Sequence, residues 1–269
     1  MTRLIPALLA AALMLASFDS LAATKYERRL DNAVNVLEEM SEMPEKGIPP
    51  AMLRDAYAVA VLPNVVKIGL GLGGRFGSGV LVVRRPDGRW SNPSFVNLGG
   101  GSFGLQLGVQ STDLVLVFKT PRGVESLYKG KMTLGADVAV AAGPVGRMTS
   151  AATDVTLKAE VFSYSRNRGL FVGVALDGAV LGMDRDGNTS YYGADYANAQ
   201  TILNQDTAPT LPGARRFQET LAAATPPLTF PMGETSRTAK AEPAKPAEDK
   251  GARTYGLDDA PPANSDVVF

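Results

Sequence analysis

The chain has 269 residues, with 27 basic and 27 acidic side chains, no histidine and no cysteine. Without cysteine there are no disulfides, thiolate metal sites or thiol catalysis, and without histidine there is no imidazole base, Ser-His pair or histidine metal site. The balanced formal charge hides an uneven spread: thirteen bases stand against six acids between Lys67 and Arg168, an excess that points to an anionic partner.

The first residues, MTRLIPALLAAALMLASFDSLAA, have the order of a secretory signal. Arg3 precedes an apolar run from Leu4 to about Phe18, and Ser20 and Ala22 are small residues placed for cleavage after Ala22, with Ala23 the near alternative. The run is short for a membrane-spanning helix, so residues 1–22 read as a cleaved signal and the expected location is the periplasm, peripheral to the inner or outer membrane. About 245 residues remain, enough for one sizeable domain. Nucleic acid is set aside as a partner of an exported protein.

From Lys25 to Met43, Tyr26, Leu30, Ala33, Val34, Leu37 and Met40 or Met43 recur at helical spacing, which predicts an amphipathic helix packed on a core. Its polar face is mixed and tends acidic. Pro44 and Gly47 end it, Pro50 opens a second short helix, and Ala56 to Pro63 reads as a buried strand. The centre is dominated by Val65 to Val109, where Gly69, Gly71 and Gly73 alternate with Ile68, Leu70 and Leu72. That period of two is a strand signal, and glycine in a strand marks close approach by another backbone, a tight bend or a ligand.

Ser78 to Arg84 leads into a hairpin turn at Pro86-Asp87-Gly88, and Trp90 to Leu98 continues beyond it, with Pro93 marking an edge or a bulge. Gly99-Gly100-Gly101 is expected to break the chain, and Phe103 to Val109 with Leu114 to Lys119 to form another hairpin around Ser111-Thr112-Asp113. Thr120 caps a short helix that starts at Pro121 and runs to about Tyr128. Strands follow at Met132 to Ala141 and Ala159 to Ser165, then the glycine-apolar stretch Gly169 to Met183 and a turn over Asp184 to Asn188. Ala197 to Asn204 and Ala214 to Ala224 are helical, and residues 226–269 have the composition of a disordered tail. The fold class is α+β: an antiparallel, strongly twisted sheet or partial barrel of many short strands, with N- and C-terminal helices packed on it.

Gly69 to Gly74 matches the dinucleotide fingerprint in form, but a strand follows it where the motif needs a helix N-terminus, so nucleotide binding is set aside. Asp184-Arg185-Asp186-Gly187-Asn188 begins like a calcium loop and lacks the later glutamate, so no metal is expected. A carboxylate pair such as Asp137 and Glu160 could in principle serve a hydrolase, yet no spacing singles one out. The reading is therefore non-enzymatic, without a cofactor. The bases Lys67, Arg75, Arg84, Arg85, Arg89, Arg166 and Arg168 are candidates for a phosphate or lipid headgroup, because Arg offers a planar bidentate donor and Lys a point charge. Phe76, Trp90, Phe95 and Phe171 are candidates for apolar insertion.

Four stretches resemble the SYLF lipid-binding domain family in order and wording: VAVLPNVVKIGLGLGGRFGSGVLVVR, GRWSNPSFVNLGGGSFGLQLGVQSTDLVLVF, LGADVAVAAGPVGR, and YSRNRGLFVGVALDGAVL with YYG after it. The resemblance covers roughly Tyr26 to Ala224, a domain here bounded as 25–225. It implies lipid binding; eukaryotic members bind phosphoinositides through basic residues and an amphipathic N-terminal helix, and fungal members also bind actin. The matching motif residues include Lys67, Arg75, Trp90, Ser91, Pro93, Arg147, Tyr164, Ser165 and Gly169. The export signal and the mixed charge of the N-terminal helix weigh against actin binding here. The expectation is a periplasmic phospholipid-binding protein that docks on anionic membrane surfaces through basic turns with aromatic neighbours. The alternative is an envelope protein-interaction or structural module, and a carboxylate-dependent hydrolase comes third.

Overall fold

The computed structural model describes residues 25–42, 47–144, 159–167, 170–205 and 207–226. The expected signal at residues 1–22, the expected tail from residue 227 onward, Arg147, Arg168 and Gly169 lie outside the described residues. Helix α1 spans residues 25–42, and α2 spans Pro50–Arg54. Strands β1 (Ala58–Val83) and β2 (Ser94–Phe118) form one long antiparallel hairpin. After α3 (Arg122–Tyr128) come β3 (Lys131–Thr133), β4 (Val140–Ala142), β5 (Val161–Asn167), β6 (Leu170–Gly173) and β7 (Val180–Met183). Helices α4 (Arg185–Tyr192), α5 (Ala199–Asn204) and α6 (Pro212–Ala224) follow.

The strands make a curled sheet in the order β3-β7-β2-β5-β4, with β1 on β2 and β6 on β5. The class is α+β, as the sequence predicts, but the sheet is mixed, because β4 pairs with β5 in parallel. Three local expectations are corrected. Gly99-Gly100-Gly101 does not break the chain, and Ser111-Thr112-Asp113 is not a turn; β2 runs through both as one strand paired with β1, with a register shift at Asp113. Asp184 to Asn188 opens a helix instead of a hairpin: the Asp184 side chain caps α4 by accepting from the Gly187 amide at 2.9 Å, and the residue types that make turns also make N-caps.

The two ends of the β1–β2 hairpin are buried on both faces. Val59, Val61, Val80, Val82, Phe95, Val115 and Val117 lie beneath Leu30, Val34 and Leu37 of α1, the α4 tyrosines, and Phe217 and Leu221 of α6. The opposite face carries Ala58, Ala60, Leu62, Leu81, Leu116 and Phe118 against α3, α5, β3 and β7. Fully burying each such Val, Leu or Phe stabilises by roughly 1.5–3 kcal/mol, which explains why these segments read as unbroken apolar runs.

Between those ends β1 doubles over. A Cβ on Gly79 would sit 2.1 Å from the Val61 carbonyl oxygen, and one on Gly77 would sit 2.6 Å from Val65 Cγ2. The returning half of the strand therefore lies directly on the outgoing half, and the close approach that the glycines predict is to β1 itself. A register shift between Leu62 and Val65 starts the bend. There Asn64 takes a φ of 52° and donates its amide to Asp113 Oδ1 at 2.9 Å.

Candidate functional site

The start of α1 and the base of the bent ribbon enclose an open cleft of about 690 Å³. Lys25, Arg28, Arg29 and Asn32 line one side, and Asn64, Val66, Phe76, Ser78, Asn97 and Leu98 the other. Three bases fall within one turn of α1, and they are not equivalent. Arg29 donates to Asp184 Oδ2 at 2.8 Å and lies over the rings of Tyr26 and Phe95, 5.0 and 5.5 Å from their centroids. Burial pushes the Asp184 carboxyl up, but the Arg29 hydrogen bond and the Gly187 amide outweigh it and hold the group below its ordinary value. Arg29 is thus part of the fold. Lys25 and Arg28 are exposed and make no ion pair with any described residue.

The apolar partner of these charges is the ribbon. Phe76 is 59% exposed, and the cross-strand neighbours Ile68 and Val109 are 48% and 73% exposed. Alternation along β1 puts Lys67 and Arg75 on the other face from Ile68 and Phe76. Lys67 faces Gln110 and Arg75 faces Gly100 in the register. Partial burial lowers the pKa of the Arg75 guanidinium, yet Arg stays charged at any physiological pH.

The structure does not gather the predicted bases into one site. Arg84 donates to the carbonyls of Ala56, Gly88 and Leu53 and stacks 4.2 Å over Trp90, so it is a strut of the hairpin turn. Arg89 pairs with Asp87 at 2.7 Å on the surface. Arg84 and Arg85 line a second cleft of about 630 Å³ with Arg54, Asp55, Tyr57 and Lys119, where Arg54 is already paired with Asp55 at 2.8 Å. Arg166 donates to Asp113 Oδ2 through Nε at 2.8 Å and also pairs with Glu39, tying α1 to β2 and β5. Each of its guanidinium nitrogens already meets a carboxylate, so Arg166 stands as a tie between elements and not as an unpaired headgroup donor.

Three of the four aromatic candidates are corrected as well. Trp90, Phe95 and Phe171 are buried: Trp90 lies under Arg84, while Phe95 sits between Tyr26 and Tyr191 at ring separations of 4.9 and 5.2 Å. They cannot reach a membrane without unfolding the core. Phe76 alone of the four is exposed. Among the other motif residues, Ser91 accepts from the Val83 amide and donates to the Asn92 carbonyl, both at 3.0 Å, and Tyr164 is a core ring whose phenol burial pushes upward in pKa. Both are structural.

Sequence reasoning missed Lys25 and Arg28, because averaging over the whole helix hid a first turn that is basic. It also missed the exposure of Ile68 and Val109, since alternation in a strand says which residues share a face and not whether that face is covered. Neither cleft brings carboxylates together: Asp55 is the single acidic residue among the lining of both. Among the described residues no group of three or more acidic side chains could hold a metal ion.

Residues 99–224 match a family model described as Ysc84, Las17-binding protein actin regulator. The chain is 38% identical over 181 residues to the human SH3 domain-containing YSC84-like protein 1, covering 65% of this chain and 52% of that protein. The same protein of Xenopus laevis is 36% identical over 177 residues, covering 64% and 52%. LAS seventeen-binding protein 3 of Saccharomyces cerevisiae is 39% identical over 160 residues, covering 58% and 34%. The chain thus spans about half the length, or less, of these relatives. These findings correct the partner expectation that set actin aside: the matched family is described by actin regulation and Las17 binding. Residues 99–224 therefore match the Ysc84 family domain, in a chain similar to eukaryotic YSC84-like proteins.

Proposed function

We propose that the chain is a non-enzymatic member of the Ysc84 and SYLF proteins that docks on anionic phospholipid surfaces after export to the periplasm. One observation carries the reading: Lys25, Arg28, Lys67 and Arg75 make no ion pair among the described residues and lie on or beside a ribbon that exposes Phe76. Each base near an anionic surface contributes about 1 kcal/mol, so four give roughly 4 kcal/mol, equivalent to millimolar attachment that salt would weaken. Lasting attachment needs apolar contact in addition. Phe76 supplies the first part of it.

Cosedimentation of the mature protein with vesicles is the test. Binding to phosphatidylglycerol-containing vesicles at low salt should exceed binding to pure phosphatidylcholine, and Lys25→Gln with Arg28→Gln should lower it about thirtyfold, which corresponds to ~2 kcal/mol. Equal binding to the two vesicle types overturns the reading. Export is tested by cell fractionation; recovery of the full, uncleaved chain in the cytoplasm overturns it.

A second reading comes from the relatives. The match of residues 99–224 to a family described as Las17-binding supports a protein partner of the actin-regulating kind. Cosedimentation with actin filaments checks it, and a chain left wholly in the supernatant removes actin itself from this reading.

A further inference from the structure

We propose that the bent middle of the β1–β2 ribbon is the part of this protein that enters lipid, lying in the membrane interface with its apolar face at the acyl boundary and Lys67 and Arg75 among the phosphates. This inference rests on the docking reading above and names the element that makes the apolar contact. Helix α1 is not that element: Leu30, Ala33, Val34, Leu37 and Met40 are spent on the core.

The described residues expose four large hydrophobic side chains, Ile68, Phe76, Val109 and Val172, and three of them are on this ribbon. Ile68 and Val109 are register partners, so they form one continuous apolar step across both strands. Gly77 against Val65 and Gly79 against Val61 centre the bend near Gly71. Lys67 and Arg75 stand four residues to either side of that point, and from Ile68 to Gly74 and Gly101 to Val109 there is no charged residue. From residue 65 to 77 and from 99 to 112 the ribbon has two cations and no anion, the charge pattern complementary to an anionic leaflet.

Depth follows from the backbone. Beyond its pairing with β7 and β5, the outer edge of β2 from residue 100 to 112 has no partner strand among the described residues, and unpaired amides and carbonyls are costly in hydrocarbon. The ribbon backbone accordingly stays in the hydrated headgroup layer, roughly 5–8 Å thick on each side. Only the side chains of Ile68, Phe76 and Val109 reach the acyl boundary. Lys25 and Arg28, across the cleft from Phe76, add charge at the rim of the same apolar face.

The absence of cysteine makes the test direct. Ile68→Cys, Val109→Cys and, as an exposed site off the ribbon, Val172→Cys are each labelled with an environment-sensitive fluorophore and mixed with phosphatidylglycerol–phosphatidylcholine vesicles carrying a shallow nitroxide quencher. The labels at 68 and 109 should shift to the blue and be quenched, with the label at 172 unchanged, and Ile68→Asp with Val109→Asp should weaken vesicle binding about tenfold or more. Vesicle binding without a response from the ribbon labels overturns this inference and leaves the docking reading intact. No vesicle binding by the unlabelled protein overturns both. A ribbon-label response that grows with protein concentration in the absence of lipid means that a second copy covers the face, and also overturns it.

Discussion

The ends of the β1–β2 hairpin and its middle are built from the same two strands and behave as different materials. At the ends, Val59, Val61, Val80 and Val82 on one face and Ala60, Leu62 and Leu81 on the other are fully buried beneath helices. In the middle, the pairing continues across a register shift between Leu70 and Gly71 but the cover is gone, and Ile68, Phe76 and Val109 meet solvent. Pairing therefore specifies the ribbon, whereas stability is held at its two ends. A substitution should be read by the region it strikes before its chemistry is considered.

The sharpest way to break that comparison is at the crossing that separates the regions. Gly79→Val places a Cβ 2.1 Å from the Val61 carbonyl oxygen, a backbone atom that cannot step aside; the loss should exceed about 4 kcal/mol, or prevent folding, as measured by chemical denaturation. Leu37→Ala, which empties a fully buried site in the cover over the ends, should cost about 2–5 kcal/mol. Asp113→Asn leaves one oxygen to accept from the Asn64 amide but removes the charge and the Oδ2 acceptor that hold Arg166. Because the pair keeps some solvent contact, about 1–3 kcal/mol is expected, and an undiminished midpoint would separate the bend from this network.

The pH dependence tests the tie between α1 and α4. The folded-state pKa of Asp184 is depressed, so its contribution to stability is present above the ordinary carboxylate value of about 3.9 and is lost as pH falls through the lower folded value. Asp184→Asn should flatten that acid limb in denaturation curves taken across the acid range. The smallest stability effect belongs to the ribbon. Phe76→Ser should shift stability by no more than about 0.5 kcal/mol; a loss of several kcal/mol would show that the middle is a covered region after all.

Much of this was legible in the sequence, and the failures share a cause. The spacing of Leu30, Ala33, Val34 and Leu37 located α1, and the alternation around Gly69, Gly71 and Gly73 located a strand that approaches backbone closely, because periodicity reports a local repeat. Asp113 and Asp184 misled because turn, cap and ion-pair chemistry draw on the same side chain. Asp113 accepts from Asn64 and Arg166 inside a continuous strand, and Asp184 caps a helix. At the site, the basic residues were legible as types while their partners were not. Arg166 finds Asp113 53 positions away and Arg29 finds Asp184 155 positions away, distances over which no local pattern speaks. Trp90, Phe95 and Phe171 were equally readable as core or as anchors until the helices that cover them were placed.

The self-crossing of β1 also sets an order of events in folding. The turn between Val83 and Ser94 lets the hairpin close from that end, Leu81 finding Ser94 and Val80 finding Phe95 before Ala58 meets Phe118. Gly79 can rest on Val61 only once the strand has doubled over, so the contact joins two parts of one strand that have already chosen their partner. A contact made that late adds its stability after the main folding barrier. Val65→Ala, which trims the side chain that Gly77 rests on, should mainly accelerate unfolding and leave the folding rate nearly unchanged. The crossing would then act as the latch that closes last and governs how long the folded molecule survives.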